Sequence, residues 1–330
     1  MQINQHARLS IAPMMDWTDR HCRVFHRQFS ARAELYTEMV TASALVRGQA
    51  MWLLDHSACE HPLVLQLGGA DPDMLADAVR LAKPYGFSAF NLNVGCPSDR
   101  VQSGAFGAVL MERPSLVAEC ISAMGEAACE IPVTVKCRIG VDDQEPEHVL
   151  PDFLSRIAGA GVRHVVIHAR KAWLQGLSPK QNRDVPPLDY PLVHAMKAAF
   201  PDLSISLNGG LQTLEEGETH LAQGLDGVMY GRAAYHAPAQ VLGNADARVF
   251  GANSPPVTGE QAVRAMLPYI DDRLVAGDRL HQITRHMLGA FAGRPGARRY
   301  RQILSDGVSQ PGAGPQLIEE ALSAIERAAA

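Results

Sequence analysis

Short apolar runs, each broken off by glycine, proline or a polar residue, alternate with helical segments along most of this chain. That alternation limits the fold more than any other feature. The runs cover residues 9–14, 34–39, 63–67, 89–94, 133–139, 164–169, 203–207 and 227–230. Between them, apolar residues recur at helical spacing, as with Leu75, Val79 and Ala82, or Leu116, Cys120, Ile121 and Met124. Helix punctuation agrees: Asp71 precedes Pro72 at one start, and Gly86 and Gly161 follow two ends. Eight strand-and-helix units predict an α/β fold, a (β/α)8 TIM barrel. A doubly wound sheet is the competitor, but it carries Gly-x-Gly-x-x-Gly after its first strand. Here the glycine-rich ends follow strands seven and eight.

Past Arg248 the pattern changes. Residues 253–259 read as a linker, and helical faces follow: Val263, Met266, Leu267, Ile270 and Leu274; then Ile283, Met287, Leu288 and Phe291; then Leu317, Ile318, Ala321, Leu322 and Ile325. The expected division is a barrel over 1–244 and a small all-helical domain over 245–330. At 330 residues the chain has room for both.

No apolar run approaches the ~18–20 residues of a membrane span, and the polar start at 1–8 lacks a signal-peptide core. The 6 cysteines include no Cys-x-x-Cys pair, so neither a metal site nor a disulfide framework is expected. A reduced, cytoplasmic protein without membrane association is the simplest reading. The net charge of −5 argues weakly against a nucleic-acid partner. Against it stands the stretch 279–301, which holds Arg279, Arg285, Arg294, Arg298, Arg299 and Arg301 and no acid.

In a barrel, residues at the C-terminal strand ends converge on one mouth. These ends present Pro13, Met14, Met15 and Asp16; Gln66; Asn93 and Cys96; Lys136 and Arg138; His168 and Arg170; Asn208, Gly209 and Gly210; and Gly231 with Arg232. Glycine-bearing loops after strands seven and eight suit a phosphate, which backbone N–H groups hold and Arg232 complements. An alternative for Asn208–Gly210 is a plain tight turn. Lys136 in an apolar strand reads as a fixed charge beside an anionic ring or phosphate, or as a strand-end lysine reaching water. His168 follows Val-Val-Ile, so it reads as ligand-facing rather than as a core histidine. Gln66 can donate and accept at a ring edge or merely cap its strand. Met14 and Met15 suit the face of a flat ring but also serve as core filler. A phosphate site, a ring-sized mouth, a lysine and a histidine together fit flavin mononucleotide, which would carry the hydride chemistry.

Seven segments then carry a family resemblance. They are Ala-Pro-Met-Met-Asp-Trp-Thr-Asp-Arg (12–20), Gln-Leu-Gly-Gly (66–69), Asn-Leu-Asn-Val-Gly-Cys-Pro-Ser (91–98), Val-Lys-Cys-Arg-Ile-Gly (135–140), His-Ala-Arg (168–170), Leu-Asn-Gly-Gly (207–210) and Met-Tyr-Gly-Arg (229–232). The chain resembles the tRNA-dihydrouridine synthases over about residues 9–301. The segment 168–183 and Arg-Arg-Tyr-Arg (298–301) point to its 20/20a branch. The resemblance implies FMN-dependent, NADPH-driven reduction of D-loop uridines in tRNA. Hydride would pass to C6 of a flipped-out uracil and a proton from Cys96 to C5. It also implies that Asn93 contacts the substrate. Pro13, Met14, Met15, Gln66, Lys136, His168, Asn208, Gly209, Gly210, Gly231 and Arg232 would form the flavin site. Lys180, Arg183, Arg298 and Arg301 would orient the tRNA.

Elementary chemistry agrees. An ordinary thiol, with a pKa of about 8.5, is mostly protonated at neutral pH and can give a proton. Cys96 stands alone among the cysteines on a loop at a strand end. A base inside folded RNA must leave its stack to reach a barrel mouth. The arginines after 279 supply a phosphate-binding surface that the rest of the chain lacks. Two other readings remain: a flavin barrel reducing a free pyrimidine or enone, which has no need of the helical tail, and a non-catalytic RNA-binding barrel, against which Cys96, Lys136 and His168 count. A glycine-bearing loop, 103–107, follows Cys96 and is expected to close over a bound uridine.

Overall fold

A parallel β-barrel holds the centre of the chain in the computed structural model, which describes residues 5–98, 105–310 and 312–329. The strands are β1 Leu9–Ile11, β2 Leu35–Tyr36, β3 Val40–Thr41, β4 Leu63–Gly68, β5 Ala89–Val94, β6 Val133–Arg138, β7 His164–His168, β8 Ser204–Asn208 and β9 Gly227–Tyr230. Every ladder between them is parallel. The sheet runs β1-β9-β8-β7-β6-β5-β4-β2, and β3 also pairs with β4. Closure comes from a parallel bridge between Ser10 and Glu34. There Ile11 N donates to Glu34 O at 2.9 Å and Glu34 N donates to Leu9 O at 3.0 Å.

Eight strand positions were expected, and eight are occupied, but the second is broken. Tyr36 pairs with Val64 and Val40 with Leu67, so β2 and β3 take one residue more than β4 between these pairs. This is a bulge, and it ends the regular ladder that an unbroken strand over 34–39 would make. The Thr37 hydroxyl stands in for the missing backbone acceptor and takes the Gln66 N–H at 3.1 Å. The first strand also stops at Ile11, short of the expected Met14, because Met14 turns into a hydrogen-bonded loop with Thr18.

Local chemistry sets the outer helices. Asp71 caps Pro72–Ala82 through Met74 N, and Asp189 caps Tyr190–Ala199 through Leu192 N. Thr213 and Glu216 form a capping box on Leu214–Ala222. Strand residues alternate between two surroundings. Leu65, Leu67, Phe90, Leu92, Val135, Ile167 and Leu207 point outward into one large apolar cluster beneath the helices. Ala12, Tyr36, Val64, Ala89, Val166 and Met229 form a second, smaller cluster inside the barrel.

Beyond the barrel lie the helices Gly259–Ala265, Leu267–Val275, Leu280–Thr284, Ala297–Gly307 and Pro315–Ala329. The arginine-rich stretch is therefore two helices separated by turns. Its apolar residues Ile283, Met287, Phe291 and Tyr300 join the same outer cluster as Phe25 and Phe29 of the helix Arg20–Phe29. Among the described residues no helix is long and apolar enough to cross a membrane.

Candidate active site

Above the inner apolar cluster the barrel turns polar. On β4, β5 and β6 the inward positions are Gln66; Asn91 and Asn93; and Thr134, Lys136 and Arg138. Gln66, Asn91, Asn93, Thr134 and Arg138 are all buried. Buried polar groups need partners, and these find them in one another. Gln66 Nε2 donates to Asn91 Oδ1 at 2.8 Å, Asn91 Nδ2 to Thr134 Oγ1 at 2.9 Å, and Asn93 Nδ2 to Gln66 Oε1 at 2.8 Å.

Cys96 sits two residues past the end of β5, half-buried and unpaired. Asn93 Oδ1 receives the N–H groups of both Gly95, at 3.1 Å, and Cys96, at 3.0 Å. Beyond, the Cys96 carbonyl accepts Ala108 N–H at 2.9 Å. The thiol lies 3.5 Å from Ser98 Oγ. Of the expected loop over 103–107, Ser103 and Gly104 lie outside the described residues, while Gly107 opens the 3-10 turn Gly107–Glu112.

Cations surround this loop. Arg138 braces it directly: Nε donates to Gly95 O at 3.0 Å, and Nη1 donates to Lys171 O at 3.0 Å and Asn182 O at 2.9 Å. Burial lowers the Arg138 guanidinium to about 10. Burial, with Arg138 adding repulsion, lowers the Lys136 ammonium to about 8. Among the described residues no acceptor or carboxylate pairs with that ammonium. His168, directly across the ladder from Arg138, is pushed well below its ordinary pKa by burial and then by Arg138 and Lys136, so it is neutral. Its Nε2 is buried with no hydrogen-bond partner among the described residues. Sequence reasoning placed Arg138 at a strand end but gave it no role; the signal was its position two residues after Lys136, on the same face.

The loops after β8 and β9 complete the rim. Gly209 and Gly210 have φ of 106° and 78°, a left-handed backbone that favours glycine. A Cβ at 209 would also strike the His168 ring at 2.8 Å. Tyr190 OH donates to Gly209 O at 2.8 Å and fixes the loop, and Asn208 Nδ2 donates to Met229 O at 2.8 Å. Gly231 lies next to Met14, whose Sδ would be 3.7 Å from a Cβ at 231. Arg232 is paired with Asp184 at 2.7 Å, a contact the sequence did not announce. Arg183 adjoins that pair; burial and Arg232 lower its pKa.

The expected residues thus fall in two groups. Gln66, Asn93, Cys96, Lys136, His168, Asn208, Gly209 and Gly231 converge on the mouth, with Pro13 and Met14 half-buried at its edge; Met15 is 54% exposed. Lys180 and Arg183 lie exposed on the long loop after β7 that Arg138 ties down. Arg298 and Arg301 are exposed on Ala297–Gly307, one turn apart. Two other arginines of that stretch are committed internally: Arg285 pairs with Asp19 and Arg294 with Glu260. Asp19 also holds His286 at 3.0 Å; against the upward push of burial, His286 and Arg285 keep its carboxyl well below the usual range.

A closed parallel barrel with a polar, cation-lined mouth and a thiol at its rim is an α/β-barrel enzyme architecture. The profile described as "Dihydrouridine synthase (Dus)" matches residues 10–328, and the chain belongs to that family. The chain is 51% identical to the tRNA-dihydrouridine(20/20a) synthase of Vibrio cholerae over 319 residues, 96% of each chain. It is 52% identical to the protein of the same name from Xanthomonas axonopodis pv. citri, covering 96% of this chain and 93% of that one. Among solved structures, the old yellow enzyme homologue of Zymomonas mobilis superposes with a TM-score of 0.52 at 13% identity, covering 77% of this chain and 92% of that one. Morphinone reductase gives 0.50 at 12% identity, covering 77% and 90%. At such identities these two speak to the barrel fold alone.

Proposed function

We propose that this protein reduces D-loop uridines of tRNA to 5,6-dihydrouridine in the cytoplasm, with FMN as bound cofactor and NADPH as reductant. The observation that carries the reading is a thiol-bearing loop, pinned through its own backbone, at the rim of a mouth lined by Lys136 and His168. Two relatives at about half identity that bear the same name support it.

The residues fit a flavin. A neutral His168 with an orphaned buried Nε2 and a Lys136 ammonium without a counter-charge both lack what an anionic, acceptor-rich ring provides. Lys136, His168 and Gln66 would hold the ring, and Pro13, Met14 and Met15 would line its apolar face. Asn208, Gly209, Gly210, Gly231 and Arg232 would take the phosphate. When bound, the flavin supplies the hydride, and NADPH restores it.

The chain's own residues do the rest. Hydride added to C6 of uracil leaves an electron pair on C5. The Cys96 thiol gives its proton to C5, and the resulting thiolate is reprotonated from solvent. Asn93 keeps one amide hydrogen beyond its bond to Gln66, available to a pyrimidine carbonyl. Lys180, Arg183, Arg298 and Arg301 orient the tRNA so that the flipped base reaches the mouth. In this reading 1–244 is the catalytic unit and 245–330 the tRNA-binding unit.

The test uses purified protein and tRNA lacking dihydrouridine. The protein should be yellow, release flavin on denaturation and form dihydrouridine detected by mass spectrometry. Cys96→Ala should keep the flavin and bind tRNA while losing at least about 100-fold in rate, the lower end of what a positioned proton donor contributes. A protein that cannot take up flavin, or a Cys96→Ala variant at full rate, defeats the proposal.

A further inference from the structure

Next to Gln66, Asn91 and Thr134 extend a buried polar row across the barrel interior and are not among the residues assigned to flavin, base or tRNA. These three residues stand opposite one another on adjacent strands, in the registers Gln66↔Asn91 and Asn91↔Thr134. Asn91 is 0% exposed and Thr134 5%. Asn93 lies one inward position further up β5. Together they make a single file of hydrogen bonds. Thr134 Oγ1 donates to Phe90 O at 3.3 Å and receives Asn91 Nδ2; Asn91 Oδ1 receives Gln66 Nε2; Gln66 Oε1 receives Asn93 Nδ2. Asn93 Oδ1 then receives the Gly95 and Cys96 N–H groups.

The direction of this file is not free. A primary amide can turn over and exchange its oxygen for its nitrogen at little intrinsic cost. Here both ends forbid it. Backbone N–H groups can only donate, so Asn93 must present oxygen to Gly95 and Cys96. A backbone carbonyl can only accept, so Thr134 gives its proton to Phe90 and offers a lone pair to Asn91. Each amide between is thereby fixed. Reversing any one of them sets oxygen against oxygen or N–H against N–H at about 2.8 Å in a buried site, where an unmade bond is costly.

We propose that Thr134 and Asn91 are positioning residues for Cys96: they act through Gln66 and Asn93 to hold the carbonyl of Asn93 against the cysteine loop. The inference rests on Cys96 as proton donor and adds how that donor is kept in place. Loss of the Thr134 lone pair leaves the Asn91 NH2 without its acceptor, so Asn91 is held from one side only and shifts Gln66 and Asn93 with it. A displaced Asn93 loosens its carbonyl's hold on the Gly95 and Cys96 N–H groups. Thr134 and Asn91 act on Cys96 only through Gln66 and Asn93.

The experiment compares parent, Thr134→Val, Thr134→Ser, Asn91→Ala and Cys96→Ala as holoenzymes. In Thr134→Val the shape is kept and the lone pair is gone. With flavin supplied to saturation, single-turnover reduction of saturating tRNA should fall about tenfold, while tRNA affinity stays within twofold of the parent. The rate of Cys96 alkylation by iodoacetamide should change at least threefold. Thr134→Ser should restore both rates, and Asn91→Ala should behave like Thr134→Val. Equal loss in Thr134→Ser and Thr134→Val would mean that packing alone matters, and unchanged turnover and alkylation in Thr134→Val would mean that no control reaches the loop; either overturns the inference. Should both disruptive variants fail to fold, hydrogen exchange on the parent decides. The Gly95 and Cys96 amides should be protected, and exchange as fast as an open loop overturns the proposal. Cys96→Ala separates the two claims. If it keeps its turnover, the donor role falls, whereas loss in Cys96→Ala with no effect of Thr134→Val removes only the positioning chain.

Discussion

Lys136 shows at the residue scale what a buried cation costs the fold. Burial and Arg138 bring its ammonium to about 8, from an ordinary 10.5. A lowered cation pKa means that the unfolded chain binds more protons than the native one between those two values. Stability therefore rises with pH through that window, and the full penalty is present below pH 8. The shift corresponds to roughly 3 kcal/mol. We predict that Lys136→Met makes the ligand-free protein more stable at pH 7 by up to about that amount, and that the advantage shrinks towards pH 10.5. Urea unfolding of the two proteins across pH 7–10.5 measures it; a variant less stable than the parent at pH 7 would refute the account. The same substitution should weaken binding of an anionic ring, so one residue would both cost the fold stability and recognise the ring proposed to bind beside it.

At the scale of elements, Arg138 links β6 to two loops, the one bearing Cys96 and the one bearing Lys180 and Arg183. Its three bonds go to buried or half-buried carbonyls, those of Gly95, Lys171 and Asn182. Hydrogen bonds from a charged donor contribute about 1.5–3 kcal/mol each and are not additive. Arg138→Ala should lower stability by about 3 kcal/mol and increase proteolytic cleavage within 170–187, read by denaturant unfolding and limited proteolysis. An unchanged cleavage pattern would show that the loop is held by other means, chiefly the buried Asn182 with its bonds to Trp173 and Leu177. This link marks the boundary of what was legible in the sequence. Barrel strands are apolar runs with sharp stops, so their number and order could be read directly, as could polar residues at their ends such as Cys96, Lys136 and His168. The break in the second strand could not, because it depends on the Thr37 hydroxyl meeting a backbone N–H on another strand. Nor could the partners of Arg138, which lie tens of residues away and are carbonyls, which every residue has.

For the whole molecule the question is how a chain of net charge −5 binds RNA. The sequence offered a block of six arginines, but the fold divides them by task. Arg285 closes an ion pair with Asp19 at the cap of Arg20–Phe29, 266 residues away, and so ties the C-terminal helices to the barrel. Arg294 is paired with Glu260. Arg298 and Arg301 stay exposed on Ala297–Gly307, whose opposite face buries Tyr300, Ile303 and Leu304. That helix packs along Pro315–Ala329, and the acids Glu319 and Glu326 there are occupied by Arg264 rather than by Arg298 or Arg301. Two cations on one helix face, paired with no carboxylate among the described residues, are suited to phosphates. Each phosphate contact contributes ~0.7–0.9 to the slope of log affinity against log salt. Arg298→Ala with Arg301→Ala should therefore weaken tRNA binding and flatten that slope by about 1.4–1.8, with turnover at saturating tRNA little changed. Arg285→Ala should do the reverse, lowering thermal stability while leaving the salt slope intact, because its charge is spent inside the protein. Binding titrations at several salt concentrations, with melting curves beside them, separate the two. If the double variant keeps the parent slope, the RNA path leaves this helix and runs over the Lys180 and Arg183 loop alone.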